Sequence, residues 1–258
     1  MKAFPGEFEG RAQVLAGKIR GAVSEAVRGE SRVAVAFSGG VDSAVLARCA
    51  AADAAVTAVA GFAVGSRDAG TARRAAAALG VELATVELTP QNVSRELEAV
   101  DLPFPPTLMD RSLWCLYALV SRKARDEGAK VILLGQMADE LFGGYAKYSE
   151  AMEKAGDAAA ESLMSSDARE YSGRGKERDV RACSRWAEPR FPYERLASIA
   201  GEIPLAYKIS GGVRKAVLRR AAVILGVPEE VAEAPKKAAQ YSSGVQKLVA
   251  RAPFNAPA

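Results

Sequence analysis

Val33-Ala34-Val35-Ala36-Phe37-Ser38-Gly39-Gly40-Val41-Asp42-Ser43 is the stretch whose reading decides the fold of this 258-residue chain. An apolar, β-rich run leads into a glycine turn, and an alanine-rich helical pattern over residues 44–52 follows. Strand, glycine turn and helix start make an anion site. Glycines let the backbone approach the ligand closely, and free N–H groups at a helix N-terminus point toward it. Asp42 would repel a bare phosphate. It makes sense where a divalent cation sits between carboxylate and phosphates. The loop therefore predicts ATP held with Mg²⁺. The lysine-bearing GxxxxGK[ST] loop is absent from the sequence.

Outward from this turn, helical and strand patterns alternate. Val14, Leu15, Ile19, Val23 and Val27 recur at helical spacing and predict a helix over residues 8–27. Strands are predicted over 32–37, 55–64, 81–88 and 131–134. Helices are predicted over 42–52, 68–79 and 113–127, the last two closed by Gly80 and Gly128. Such alternation implies an α/β fold, a doubly wound parallel sheet covered on both faces. Ligands then bind at the carboxyl ends of the strands. The turns at 38–43 and 135–145 both follow strands and should share one edge of the sheet. Beyond about residue 147 the strand signal fades. Residues 162–185, rich in charge, Ser and Gly, read as a mobile loop. Helical patterns follow over 194–200, 212–225 and 228–234. The expected organisation is one domain over 8–250, with a nucleotide-binding core (8–147) and a mostly helical C-terminal part (148–250).

Composition narrows the chemistry. Histidine is absent, which removes the commonest general base and the commonest zinc ligand. Cys49, Cys115 and Cys183 form no CxxC, so a zinc or iron–sulfur site built by this chain is not expected. Their odd number and wide spacing point to a reducing, cytoplasmic setting. Thirty-five Lys+Arg against 31 Asp+Glu leave a net charge of only +4, which does not indicate a nucleic-acid partner. No secretory leader is read at the N-terminus. The most apolar stretch, 44–64, is broken by Arg48 and Asp53, so no membrane span is expected.

The loop Ser38-Gly39-Gly40-Val41-Asp42-Ser43 resembles the pyrophosphate-binding (PP-) loop of the N-type ATP pyrophosphatases, the adenine nucleotide alpha hydrolase-like superfamily. These enzymes cleave ATP between the α and β phosphates and adenylate a substrate. Leu134-Gly135-Gln136-Met137-Ala138-Asp139-Glu140, followed by Phe142-Gly143-Gly144-Tyr145, resembles the second signature of the asparagine synthetase family. Phe62-Ala63-Val64-Gly65 is similar to the family's strand end beside the adenine. Glu188-Pro189-Arg190-Phe191-Pro192-Tyr193 looks like its Glu-x-Arg-x-Pro segment, and Lys215-Ala216-Val217-Leu218-Arg219 like its Lys-x-x-Leu-Arg helix. Lys236-Lys237 with Gln240-Tyr241-Ser242-Ser243-Gly244-Val245 is similar to its lysine-then-Gln-Phe segment, one residue longer. The resemblance spans roughly 8–249. It implies that Phe37, Val64 and Gly135 hold adenosine. Ser38, Gly39, Gly40 and Ser43 cradle the β and γ phosphates, and Asp42 and Asp139 reach Mg²⁺. Lys215 and one of Lys236 or Lys237 (Lys237 preferred) meet the phosphates.

Three departures limit what the resemblance implies. Full asparagine synthetases carry an N-terminal glutaminase domain with a cysteine nucleophile, whereas the second residue here is Lys2. Nitrogen is then expected from ammonia, an amine, or a separate glutaminase subunit. Gln136 stands where the family has glutamate, and glutamine takes no proton. Leu113-Trp114-Cys115-Leu116-Tyr117 also lacks the threonine-rich stretch that helps hold aspartate; Trp114 and Tyr117 read first as core. The expected activity is an AMP-forming C–N ligase that adenylates a small carboxylic acid. A tRNA-modifying adenylase and a non-catalytic nucleotide-binding regulator are the alternatives, Gln136 being the feature that favours the regulator.

Overall fold

The computed structural model describes residues 5–66, 68–234 and 243–252. Five strands, β1 (Arg32–Ala36), β2 (Ala55–Ala63), β3 (Glu82–Leu88), β4 (Val131–Leu133) and β5 (Glu188–Arg190), pair in parallel in the order β3-β2-β1-β4-β5. The chain steps outward from β1 to β3 and then returns to the other side of β1. The switch point therefore lies between β1 and β4, paired through Ala34↔Ile132 and Val35↔Leu133. A crevice outside the carboxyl ends of these two strands is where such a sheet binds ligands.

Strand alternation assigns the two cores. Val33, Val35, Val131 and Leu133 face one cluster, while Ala34, Ile132 and Leu134 face the other. With both faces covered, the strands read as near-continuous apolar runs. The first face carries α1 (Pro5–Val27), α2 (Val41–Ala50) and α3 (Asp68–Leu79). The second carries α4 (Pro90–Glu98) and α5 (Leu108–Asp126). Among the described residues no helix is long and apolar enough to cross a membrane.

Helix α5 begins five residues before the apolar periodicity suggests. Thr107 accepts from the Asp110 N–H at 3.2 Å, and the Asp110 carboxylate accepts from the Thr107 N–H at 2.9 Å. This reciprocal cap satisfies two N–H groups that a helix start leaves orphaned. Thr89 and Asn92 cap α4 in the same way, with Pro90 in its first turn.

The expected mobile loop over 162–185 is helical, as is most of the C-terminal part. After α6 (Ala138–Phe142) and α7 (Ala146–Ala155) comes α8 (Asp157–Glu170). A π-helical turn, Tyr171–Gly175, joins it directly to α9 (Lys176–Ser184). The charges that suggested a solvated loop are partly buried: Arg178 is 3% exposed and Asp179 fully buried. Strand β5 is a second correction, since it completes the sheet well after residue 147. Arg190 fastens that edge by donating to the Ala26 carbonyl at 2.7 Å and pairing with Glu30 at 3.3 Å. A 3₁₀ turn (Pro192–Leu196), α10 (Ala197–Glu202) and α11 (Leu205–Lys208) follow. The ribbon β6 (Ile209–Ser210)–β7 (Val213–Arg214) then leads to α12 (Ala216–Ile224) and α13 (Glu229–Ala232). α12 adds to the first core. α14 (Val245–Arg251) joins α9 on the second.

Candidate active site

Two strand-end turns meet at the switch point. At the first, Gly39 adopts φ +79°, and a Cβ there would lie 2.9 Å from the Ala72 Cα of α3. Ser43 staples the turn: its hydroxyl donates to the Gly40 carbonyl at 3.1 Å and accepts from the Ser38 N–H at 3.3 Å. Tyr193, fully buried, donates from its hydroxyl to the Asp42 carbonyl at 3.0 Å. No side chain caps α2 at Gly40. Its first-turn N–H groups are thus left for an anion, with the helix dipole behind them.

The second turn runs from Leu134 through Met137, a non-glycine residue at φ +73°, into α6. Gly135 brings the turns together, since a Cβ there would lie 3.3 Å from Asp42 Cβ. Asp42 and Asp139 consequently face a single group, the ammonium of Lys215. Lys215 Nζ lies 2.7 and 2.6 Å from the two Asp42 carboxylate oxygens and 2.7 Å from Asp139 Oδ1. Lys215 is 1% exposed and takes φ +59° just before α12. Burial alone would lower its pKa, but Asp139 and Asp42 outweigh it and hold the ammonium above its ordinary value. Gly144 clears space for this cluster, as a Cβ there would fall 1.7 Å from Asp139 Oδ1 and 2.3 Å from Lys215 Cε. The Gly144 carbonyl accepts from Arg214 at 2.9 Å.

The donor set suits Mg²⁺ rather than a metal caged by protein. Among the described residues no group of three or more His, Cys, Asp or Glu could hold a metal. Two carboxylates that converge on one point would leave most positions around a Mg²⁺ ion to oxygens from outside the protein, which suits that ion.

A cavity of about 540 Å³ opens over the turns. Phe37, Ser38, Asp42 and Ser43 line it from the first turn, and Gly135, Gln136, Asp139 and Glu140 from the second. Lys215 lies behind the carboxylates and off the wall. Val64 is not brought in: β2 ends at Ala63, and Val64 is 80% exposed outside the cavity, while Gly61 and Phe62 line it. Lys236 and Lys237 lie outside the described residues. The segment that follows them reaches the site, where Ser243 lines the cavity and its carbonyl accepts from the Ala63 N–H at 2.8 Å. Trp114 is core, 1% exposed, whereas Tyr117 is both buried and on the cavity wall.

A buried polar network behind the second turn is not legible in the sequence. Gln136 Nε2 donates to Asp179 Oδ2 at 2.7 Å, and the Tyr171 hydroxyl donates to the same oxygen at 3.2 Å. Arg178 bridges Asp179 (2.8 Å) and Asp110 (3.2 Å), and Arg174 pairs with Asp110 at 2.6 Å. Burial pushes the Asp110 carboxyl up, but Arg174, Thr107 and Arg178 prevail and hold it at about 2. Burial, with Asp139 nearby, raises Glu140, whose carboxylate accepts from the Tyr145 hydroxyl at 2.8 Å. The π turn supplies Tyr171, Arg174 and Gly175 to the cavity wall, and π turns recur at functional sites. The cysteines are buried, and burial raises Cys49 to about 11 and Cys115 to about 12, so none is poised as a nucleophile.

Residues 15–190 and 176–254 match the family model for Asparagine synthase. The chain is 28% identical over 284 residues to "Putative asparagine synthetase (glutamine-hydrolyzing) 1" of Methanocaldococcus jannaschii, covering 94% of this chain and 51% of that protein. It is 30% identical over 161 residues to mouse "Asparagine synthetase domain-containing protein 1", covering 55% of this chain and 26% of that one. It thus spans about half the length, or less, of these relatives. Among solved structures, NMN synthetase from Francisella tularensis superposes with a TM-score of 0.46 at 13% identity, covering 100% of this chain and 89% of that one. With the family model matched over most of its length, the chain belongs to the asparagine synthase family.

Proposed function

We propose that this chain is an AMP-forming C–N ligase. It adenylates the carboxylate of a small acid with ATP, releasing pyrophosphate, and an amine or ammonia then displaces AMP. The observation that carries the reading is the convergence of Asp42, Asp139 and Lys215 beside the uncapped start of α2. Phosphoryl-type chemistry depends mostly on positioning and on preorganised charge where negative charge builds. That charge builds on the departing pyrophosphate. The α2 N–H groups are the fixed donors for it, Lys215 adds positive charge from behind the carboxylates, and Asp42 and Asp139 would hold Mg²⁺. The metal's contribution is neutralisation of phosphate charge.

Phe37 and Gly135 are assigned to the adenosine half, with Gly61 and Phe62 in the place expected of Val64. Gly39, Gly40 and Ser38 shape the phosphate turn, and Ser43 braces it. Gln136 accepts no proton, so the base for amine attack is another group or water; Glu140 lines the cavity with a raised pKa. Three buried thiols fit a reducing, cytoplasmic setting.

The test is exchange of [³²P]pyrophosphate into ATP with Mg²⁺, adding carboxylic acids singly and then bulk tRNA. Exchange that depends on one acid supports the ligase. Exchange only with RNA assigns the chain to nucleic-acid modification. Tight ATP binding without turnover across the panel, including amine donors, makes it a nucleotide-binding regulator. Asp42→Asn should abolish exchange while the far-ultraviolet circular dichroism stays native.

A further inference from the structure

We propose that Lys215 is a built-in counter-cation that keeps a free divalent metal out of the Asp42–Asp139 seat until a polyphosphate arrives. The proposal rests on the Mg²⁺–ATP reading above and adds an order of assembly to it. Three observations carry it. One ammonium satisfies both carboxylates at 2.6–2.7 Å, so the place a small cation would take is already held. The lysine is 1% exposed and fixed by a left-handed backbone at φ +59°. Gly144 leaves its side chain no slack, since even a methyl group there would overlap Lys215 Cε.

Charge decides the consequence. The three side chains together carry one net negative charge. A divalent ion entering alone would either displace a buried ammonium from two ion pairs or sit beside it as a like charge. Both are disfavoured because the ammonium is buried. A polyphosphate reverses the balance. Its oxygens coordinate the metal and its negative charge offsets the second cation, so the metal and the ammonium share the two carboxylates without an unpaired charge. Metal and nucleotide then raise each other's affinity by the same factor, as linkage requires.

Electron paramagnetic resonance of Mn²⁺, a probe for Mg²⁺, tests this on the full chain. The nucleotide is α,β-methylene-ATP, which cannot be cleaved at the α–β bond. The wild-type protein should bind Mn²⁺ at least about tenfold more tightly with the analogue than without it. Lys215→Met should bind Mn²⁺ alone at least about tenfold more tightly than wild type. Lys215→Arg, which keeps a cation in place, should stay closed. Adding Asp42→Asn to Lys215→Met should abolish the binding, which locates the ion at this seat. Wild-type protein that binds Mn²⁺ alone as tightly as with the analogue overturns the proposal and leaves the Mg²⁺–ATP reading standing. So does a folded Lys215→Met protein no tighter than wild type. Absence of Mn²⁺ binding even with the analogue sinks both. Should Lys215→Met fail to fold, Lys215→Gln, which also removes the charge, takes its place in the comparison.

Discussion

Replacing Gly144 with alanine would set a methyl carbon 1.7 Å from Asp139 Oδ1, 2.7 Å from Asp139 Cγ and 2.3 Å from Lys215 Cε. The backbone cannot recede, because the Gly144 N–H donates to the Asp139 carbonyl at 2.8 Å and its carbonyl accepts from Arg214 at 2.9 Å. Side-chain ends must move instead, breaking the Lys215–Asp139 pair. Loss of a charge-assisted hydrogen bond costs about 1.5–3 kcal/mol, and an extra methyl in a packed site about 1–3 kcal/mol. The variant should therefore lose about 2.5–6 kcal/mol, a fall in Tm of about 5–24 °C for a chain of this size. Thermal unfolding followed by circular dichroism reads the stability, and calorimetric titration with α,β-methylene-ATP and Mg²⁺ reads the site. Gly17→Ala is the control. Gly17 is exposed in the interior of α1 with nothing near its missing Cβ, so alanine should stabilise by about 0.5–1 kcal/mol. If the clash is with the lysine, the cost of Gly144→Ala should shrink in a Lys215→Ala background, which removes Cε, since contacting residues are not additive. A Gly144→Ala protein melting within about 2 °C of wild type, with unchanged nucleotide affinity, would refute the claim that this glycine holds the charge cluster open.

Other outcomes follow from the network behind the second turn. Asp110 has its carboxyl lowered from 3.8 to about 2, so it contributes about 2 kcal/mol above pH 4, lost progressively as pH falls toward 2. Asp110→Asn should flatten that part of the acid limb in urea midpoints measured between pH 5 and pH 2. Gln136→Glu would put a second carboxylate where Asp179 now receives an N–H at 2.7 Å, costing about 3 kcal/mol at pH 7. The introduced carboxyl has a raised folded pKa, so stability should recover as pH falls, and Asp179→Asn should rescue it in melting experiments. Tyr193→Phe removes the hydroxyl that braces the Asp42 carbonyl. It should cost about 1 kcal/mol in urea unfolding and weaken nucleotide binding in the same calorimetric assay.

What the sequence made legible was local. The turn at Ser38 declares itself because valine alternation, glycines and a helix start are all encoded within a dozen residues. Asp42 and Asp139 stand out because a carboxylate at a strand-end turn needs a reason. Val64, whose backbone the resemblance sets beside the adenine, lies one residue past the strand end: β2 stops at Ala63, whose N–H the Ser243 carbonyl takes, and the Val64 side chain turns to solvent. The stretch over 162–185 read as loop because charged residues usually face water. Here Asp110, 68 positions from Arg178, turns those charges inward, and no local pattern encodes a pairing across such a separation. Tyr193 was likewise invisible as a support of the Asp42 loop, 151 positions away.

Gln136 shows what that long-range part contributes to function. Taken alone, glutamine in place of an acid reads as a lost base. Beside Asp179 it reads as a required donor. A carboxylate accepts only, so the Asp179 partner must present N–H, and the glutamine amide is oriented with its nitrogen inward. No hydrogen bond holds its carbonyl oxygen among the described residues, and the side chain lines the cavity. This departure from the family pattern lies on the cavity wall, while Asp42, Asp139 and Lys215 remain assembled. A chain drifting away from catalysis has no reason to keep three charged side chains in a strained, glycine-cleared cluster while rebuilding the wall beside it. That asymmetry is the physical argument for a ligase with an altered acceptor over a site in decay.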